Sequence, residues 1–124
     1  MARILLVDDE PDIVFTTRMM LEKDGHQVSV AKNSEECMKM LENDLPDLIL
    51  LDIMMPGENG WETCRKVKGD EKTKDVPVVM FTVRSGGDSI KKSREYSHAD
   101  AHINKPFKRV ELLDTVRKLL KEKT

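Results

Sequence analysis

Four short apolar runs, each ending beside an acidic, hydroxyl or ammonium side chain, constrain the fold of this chain more than any other feature. The runs lie at residues 4–7, 48–51, 76–81 and 101–103. Stretches whose apolar residues recur at helical spacing separate them. Strands and helices that alternate with short connections form a parallel sheet with helices on both faces.

The predicted elements alternate five times along the chain. Strands are expected at residues 3–7, 26–31, 46–51, 77–81 and 101–103. Helices are expected at residues 11–24, 33–43, 59–68, 85–97 and 108–121, the fourth of them unusually polar. With right-handed crossovers, five such units favour the flavodoxin-like (βα)5 doubly wound α/β fold, whose parallel strands have the order 2-1-3-4-5.

Length and composition describe a small, highly charged domain. The 124 residues suit one domain, expected to span residues 1–124. A formal net charge of −2 gives no reason to expect a nucleic-acid or membrane partner. The longest apolar run, residues 45–56, is broken by a proline and two aspartates, and the first residues show no signal-peptide pattern, so we expect a cytoplasmic protein. Cys37 and Cys64 lack ligand-like spacing, and we expect two reduced, half-buried thiols.

Polar side chains follow the strands at the points where the apolar runs stop. Asp8 and Asp9 follow the first run, Asp52 the second and Thr82 the third, while Lys105 comes just after the fourth. Parallel strands end at a common edge, and ligands bind there near the switch point between strands 1 and 3. We therefore expect these five side chains to converge.

Carboxylates in close quarters repel one another unless a proton or a cation lies among them. Oxygen ligands with open positions suit Mg²⁺, and Ca²⁺ is a poorer candidate because the chain has no ligand-dense loop. Lys105 can pair with Asp52 in the empty site and with a phosphoryl oxygen in the occupied one, and Thr82 offers a hydroxyl donor. The residues thus indicate phosphoryl transfer to an aspartate, with Asp52 central.

The same positions carry a resemblance to a known family. The strings are ILLVDDE at residues 4–10, DLILLDIMMPG at residues 47–57, FT at residues 81–82 and NKPF at residues 104–107. With these strings in this order and spacing, nearly the whole chain resembles the response-regulator receiver domain of two-component signal transduction, in the form of a chemotaxis-regulator-like single domain.

The resemblance implies a phosphoacceptor site at the expected edge. Asp52 would accept a phosphoryl group from a sensor histidine kinase. Asp9, Asp52 and the backbone carbonyl of Met54 would hold Mg²⁺, with Asp8 helping through a water molecule. Such a protein is a signalling phosphoacceptor rather than an enzyme, although it catalyses its own phosphotransfer and autodephosphorylation.

The resemblance also implies a switch. Lys105 would contact the phosphoryl group, beside a cis peptide to Pro106. Thr82 would be the switch hydroxyl, and His102 stands where the family usually has an aromatic switch residue. The expected partners are a sensor histidine kinase or phosphotransfer protein, and a downstream protein or a second copy bound through helix 4, strand 5 and helix 5. These residues contain no nucleic-acid-binding output domain.

Several positions depart from the family pattern. Val83 stands where a small residue is usual and narrows access for a phosphodonor. His98 replaces a usual glycine, and a histidine there requires a left-handed backbone or a different turn. Arg84 and Met54 occupy positions that flank the phosphoryl group in the family and tune its lifetime. None of these changes removes a required ligand.

Other interpretations of the pattern fit it less well. Asp9 or Asp12 taken alone could simply cap the following helix. A flavodoxin-type FMN module would need a Ser-, Thr- and Gly-rich loop after strand 1, where this chain has three acidic residues. Phosphohydrolases with an aspartate nucleophile place their two acids two residues apart, not adjacent. A degenerate receiver that only binds partners would not need the complete acidic set, although Val83 leaves that possibility open.

Overall fold

The computed structural model describes residues 2–54, 57–82, 95–105 and 107–123, with the side chains of residues 82, 122 and 123 left out. The strands in this part of the chain are β1 (Arg3–Val7), β2 (Gln27–Ala31), β3 (Leu48–Asp52), β4 (Val78–Thr82) and β5 (Ala101–Asn104). The helices are α1 (Pro11–Lys23), α2 (Ser34–Asn43), α3 (Gly60–Gly69) and the C-terminal helix (Arg109–Lys123).

The helix boundaries follow local signals in the sequence. Asn33 and Asn59 cap α2 and α3, since each side-chain oxygen accepts a hydrogen bond from the backbone N–H three residues later, at 2.9 and 3.0 Å. Pro11 occupies the first turn of α1, where its missing N–H costs nothing. Gly25 ends that helix with a φ of 91°, a conformation that glycine adopts without strain.

The five strands form one parallel sheet in the order β2-β1-β3-β4-β5, which confirms the predicted fold class. The register places Val7 beside Leu51 and Thr82 beside Asn104. Because strands in register end at the same height, the residues that follow β1, β3 and β5 meet at one edge of the sheet. The alternation of strands and helices therefore positions the site.

The core has a layer on each face of the sheet. Along the central strand β3, Leu48 and Leu50 pack in one layer with the apolar sides of α1 and the C-terminal helix, while Ile49 and Leu51 pack in the other with α2 and α3. All five residues of β3 are buried. Burial on both faces explains why this strand is a continuous apolar run rather than an alternating one.

The structure shifts several predicted features by small amounts. The third strand begins at Leu48 rather than residue 46 and includes Asp52. Cys37 and Cys64 are free thiols, as predicted, but they are fully buried rather than half-buried, because both face the layer between helices and sheet. Burial raises the pKa of each thiol to about 12, which leaves both unreactive. Residues 85–94 of the predicted fourth helix lie outside the described residues.

His98 adopts the left-handed backbone that a histidine at a usual glycine position requires, with a φ of 62°. No helix among the described residues is both long and apolar enough to cross a bilayer.

Candidate functional site

Asp8, Asp52 and Lys105 meet at the carboxyl edge of the sheet, as their positions after the strands predict. Asp8 and Asp52 have exposed fractions of 0% and 3%, and Lys105 of 9%. Lys105 Nζ donates a hydrogen bond to Asp8 Oδ2 at 2.8 Å and lies 3.5 Å from Asp52 Oδ2. The site therefore contains two buried carboxylates around one buried ammonium group.

The predicted pairing of Lys105 with Asp52 is present as an ion pair, with Nζ 3.5 Å from Asp52 Oδ2. The hydrogen bond of Lys105 goes to Asp8, and Asp52 Oδ2 accepts none from the described residues. Asp8 is itself held in place, because its N–H donates to the Ala31 carbonyl at 3.1 Å and its Oδ1 accepts from Glu10 N at 3.0 Å. The less constrained oxygen of Asp52 remains available for chemistry.

Glu10 is a site residue that the sequence analysis missed. It occupies the N-cap position of α1, yet its side chain does not cap the helix. Its Oε1 lies 3.5 Å from Lys105 Nζ, and its carboxylate approaches those of Asp8 and Asp52 within 4.8 Å. The only signal for it in the sequence was the third acid of the string ILLVDDE, which looks like an ordinary acidic residue at a helix start.

The predicted ligand Asp9 is exposed and is not one of the three carboxylates in that cluster. Its charge still contributes to the rise in the pKa of Asp52, after burial and after the larger effect of Asp8. Met54 donates its backbone N–H to Asp52 Oδ1 at 3.2 Å, and its side chain points into solvent, with the residue 65% exposed.

The switch residues are only partly described. Thr82 ends β4, but its side chain is outside the described part of the chain, as are Val83, Arg84 and Pro106 with its peptide bond. His102 is half-buried in β5, where it pairs in register with Met80 of β4.

The connection after β3 passes very close to Asp52. Gly60, the first residue of α3, donates its N–H to the Ile53 carbonyl at 2.9 Å. A Cβ atom at position 60 would overlap the carbonyl oxygen of Asp52 and would lie 2.8 Å from Ile53 Cα. Glycine is therefore required here, and the loop is packed directly on the backbone of the central aspartate.

Burial and the neighbouring Asp8 carboxylate raise the pKa of Asp52 to about 6, although Lys105 and the Met54 N–H oppose the shift. Burial alone would lower the pKa of Lys105, but its hydrogen bond to Asp8 and the charges of Asp52, Asp8 and Glu10 raise it above its ordinary value. Lys105 is thus an ammonium ion at neutral pH. The ionised form of Asp52 therefore destabilises the folded protein.

Replacing Asp52 by asparagine is therefore expected to stabilise the protein in metal-free buffer. Because folding raises the pKa of this carboxyl from 3.8 to about 6, its ionisation costs on the order of 3 kcal/mol above pH 6. That cost is absent well below pH 3.8, where the carboxyl is protonated in both the folded and the unfolded state, so the advantage of the variant grows between pH 3.8 and 6 and stays constant at higher pH. Urea unfolding in EDTA at pH 4.5 and pH 7.5 measures it.

The exposed Asp75→Asn serves as the control for that measurement and is expected to change stability little at either pH. If Asp52→Asn were no more stable than wild type at pH 7.5, the ionised carboxylate would not destabilise the folded protein.

Comparisons with known proteins agree with this geometry. Residues 4–117 match the model of the response regulator receiver domain. Protein PilH of Pseudomonas aeruginosa is 36% identical over 120 residues, covering 97% of this chain and 98% of that protein. The response regulator PleD of Caulobacter vibrioides is 41% identical over 123 residues, but this chain, covered to 98%, spans only 27% of its length.

Solved structures give the same result. The signal receiver domain of a signal transduction histidine kinase from Syntrophus aciditrophicus has a TM-score of 0.92 at 34% identity, covering 98% of this chain and 92% of that chain. The chemotaxis response regulator CheY4 of Vibrio cholerae has a TM-score of 0.89 at 27% identity, covering 96% and 98%. With its five-stranded parallel sheet and its buried carboxylates at the sheet edge, this chain belongs to the response regulator receiver domain family of two-component signalling.

Proposed function

We propose that Asp52 accepts a phosphoryl group from a sensor histidine kinase or a phosphotransfer protein in a Mg²⁺-dependent reaction, and that phosphorylation changes which protein the chain binds. One observation carries this proposal. Asp52 ends the central strand, is almost fully buried and has an oxygen, Oδ2, that accepts no hydrogen bond from the described residues. A buried carboxylate oxygen that accepts no hydrogen bond is unusual for an aspartate with a purely structural role, and it suits a nucleophile.

The residues around Asp52 fit a hard divalent cation. Three carboxylates, those of Asp8, Glu10 and Asp52, offer oxygen atoms within 4.8 Å of one another, against one ammonium group. We propose that Asp8, Asp9, Asp52 and the backbone carbonyl of Met54 hold Mg²⁺, with Glu10 a further carboxylate in range. When bound, Mg²⁺ would supply positive charge to the oxygens of the transferring phosphoryl group.

The protein residues have separate tasks in the proposed transfer. The Met54 N–H holds Asp52 Oδ1 at 3.2 Å, so that the carboxylate keeps one orientation. A phosphorus–oxygen bond to Asp52 forms as the phosphorus–nitrogen bond to the donor histidine breaks. Lys105 stays protonated and pairs with a phosphoryl oxygen. To do so, it must weaken its hydrogen bond to Asp8.

The site chemistry is tested by Asp52→Asn. We expect the variant to lose all labelling from acetyl phosphate in the presence of MgCl₂, whereas wild type acquires a label that hydroxylamine removes. The reason is that the amide nitrogen of asparagine is not a nucleophile towards phosphorus. Mass spectrometry of the labelled protein measures the phosphoryl group, and peptide mapping places it.

The exposed Asp75→Asn is the matched control, and it should be labelled like wild type. Full labelling of Asp52→Asn would overturn the assignment of the acceptor, unless peptide mapping shows that the label has moved to a neighbouring carboxylate or hydroxyl.

The output side of the proposal concerns partners. We propose that residues 1–124 form one receiver domain, that it acts in the cytoplasm, and that it catalyses its own phosphotransfer and autodephosphorylation. Thr82 and His102 would relay the phosphorylated state to a downstream protein, or to a second copy bound through β5 and the elements beside it. No nucleic-acid or membrane partner is proposed. Size-exclusion chromatography of the chain with and without beryllofluoride distinguishes the two alternatives, a dimer of this chain and binding to a downstream protein.

A further inference from the structure

The loop between β3 and α3 is tied to α2 by a chain of polar side chains outside the site described above. Thr63 Oγ1 donates a hydrogen bond to Ser34 Oγ at 2.8 Å, and Ser34 Oγ donates to Glu58 Oε1 at 3.1 Å. Lys66 Nζ donates to Glu58 Oε2 at 2.6 Å. These four residues, Ser34, Glu58, Thr63 and Lys66, are called the Glu58 clasp below.

The clasp is buried at one end and open at the other. Thr63 is 0% exposed and Ser34 7%, while the side chain of Lys66 is 55% exposed. The hydrogen bond from Lys66 is the main reason that the pKa of Glu58 is lowered, and the hydrogen bond from Ser34 acts in the same direction against the effect of burial. Glu58 is therefore an ionised acceptor, and the two buried hydroxyls form a satisfied chain that gives the segment one geometry.

The clasp lies on the same loop as Met54. Glu58 follows Met54 by four residues and directly precedes Asn59, which caps α3. Both ends of the loop are attached beside the acceptor, where the Met54 N–H donates to Asp52 Oδ1 and the Gly60 N–H donates to the carbonyl of Ile53, the residue after β3. Between these two points, among the described residues, Glu58 supplies the side chain that ties the loop to another helix.

We propose that Ser34, Glu58 and Thr63 are positioning residues for the cation site, because they set where the loop holds the Met54 carbonyl. This inference rests on the proposed function, in which that carbonyl is a cation ligand. Groups that orient a metal ligand without touching the metal commonly change affinity by about 10-fold or more when they are removed. The clasp would then tune the affinity for Mg²⁺ through a connection that runs from α2 to the acceptor strand.

The test is an NMR titration of the ¹⁵N-labelled full chain with MgCl₂ at 25 °C. Thr63→Val keeps the shape of the side chain but removes the hydroxyl, and we expect its dissociation constant for Mg²⁺ to rise by about 10-fold. Thr63→Ser, which restores the hydroxyl, should return close to wild type. In the metal-free protein, the Met54 and Gly60 amide resonances should shift in Thr63→Val but not in Thr63→Ser.

A second pair of variants separates position from charge. Glu58→Gln and Ser34→Ala should each weaken Mg²⁺ binding. The double variant should bind Mg²⁺ as tightly as the weaker-binding single variant, because both substitutions break the same series of hydrogen bonds. Glu35→Gln removes an exposed carboxylate from the same end of α2 and should leave the dissociation constant unchanged.

The outcomes distinguish the two proposals. Equal Mg²⁺ affinity in wild type, Thr63→Val and Glu58→Gln would overturn the positioning role while leaving the phosphoacceptor proposal intact. A wild-type chain that neither binds Mg²⁺ nor accepts a phosphoryl group would overturn the proposed function itself.

Discussion

Replacing Lys105 by methionine should lower the free energy of unfolding in EDTA at pH 7.5 by about 3–5 kcal/mol. Methionine keeps the apolar length of the lysine stem but removes the ammonium group. Asp8, which is 0% exposed, would lose the hydrogen bond that it accepts at 2.8 Å, and Asp52 would lose the charge that opposes its elevated pKa. Two adjacent buried carboxylates without a cation would then repel each other.

The dependence on solution conditions makes this prediction specific. The loss should shrink at pH 5, because the carboxylates can then take up protons in place of the missing charge. It should also shrink with millimolar MgCl₂, if the cation replaces the ammonium group. Urea unfolding measures each case, and Lys118→Met, an exposed position on the C-terminal helix, is the control. A loss equal to that of the control would mean that Lys105 does not balance the carboxylates.

Replacing Gly60 by alanine should destabilise the protein by about 3 kcal/mol, at the upper end of the usual range for overpacking. The added Cβ would overlap the carbonyl oxygen of Asp52 and press on Ile53 Cα, and these are backbone atoms that cannot turn aside. Alanine normally gains up to about 1 kcal/mol over glycine inside a helix, but that gain is smaller than the steric cost. The strand end that carries Asp52 would also be displaced, so phosphoryl labelling should fall as well.

Gly69 provides a matched control within the same helix. A Cβ atom there meets nothing within 4 Å, so Gly69→Ala should leave stability unchanged or raise it by up to about 1 kcal/mol. Of the two alanine substitutions, only Gly60→Ala is therefore expected to lower stability in urea unfolding. Equal effects would show that the close approach of Gly60 to Asp52 is not maintained in solution.

Much of the fold could be predicted because its signals are local. Asn33 and Asn59, the first residues of two predicted helices, cap those helices in the structure, and Gly25 ends α1 with a left-handed backbone. The apolar runs predicted the strands to within a residue or two, because a strand buried on both faces cannot contain charged residues in its middle. Among the strands, the largest boundary error is at β3, where Asp47 precedes the strand and Asp52 ends it, since an aspartate at a strand end gives no local sign of whether it pairs.

The site could be predicted only in outline. Asp8, Asp52 and Lys105 were expected together, because the strand order brings the residues after β1, β3 and β5 to one edge. Glu10 was missed, and the clasp of Ser34, Glu58, Thr63 and Lys66 had no signal at all, because single hydroxyls and acids in helix first turns usually serve as caps. The side chain of Thr82 and the residues 83–94 stay predictions.

The sequence by itself determined the alternation of strands and helices, the parallel sheet and the residues that could reach its edge, since periodicity and capping depend on near neighbours in the chain. Only the tertiary structure decided that Lys105, which pairs with Asp52, donates its hydrogen bond to Asp8, 97 residues away. It also decided that the pKa of Asp52 rises to about 6. Both outcomes depend on ångström-scale distances and on exclusion of water, which arise when distant segments pack together.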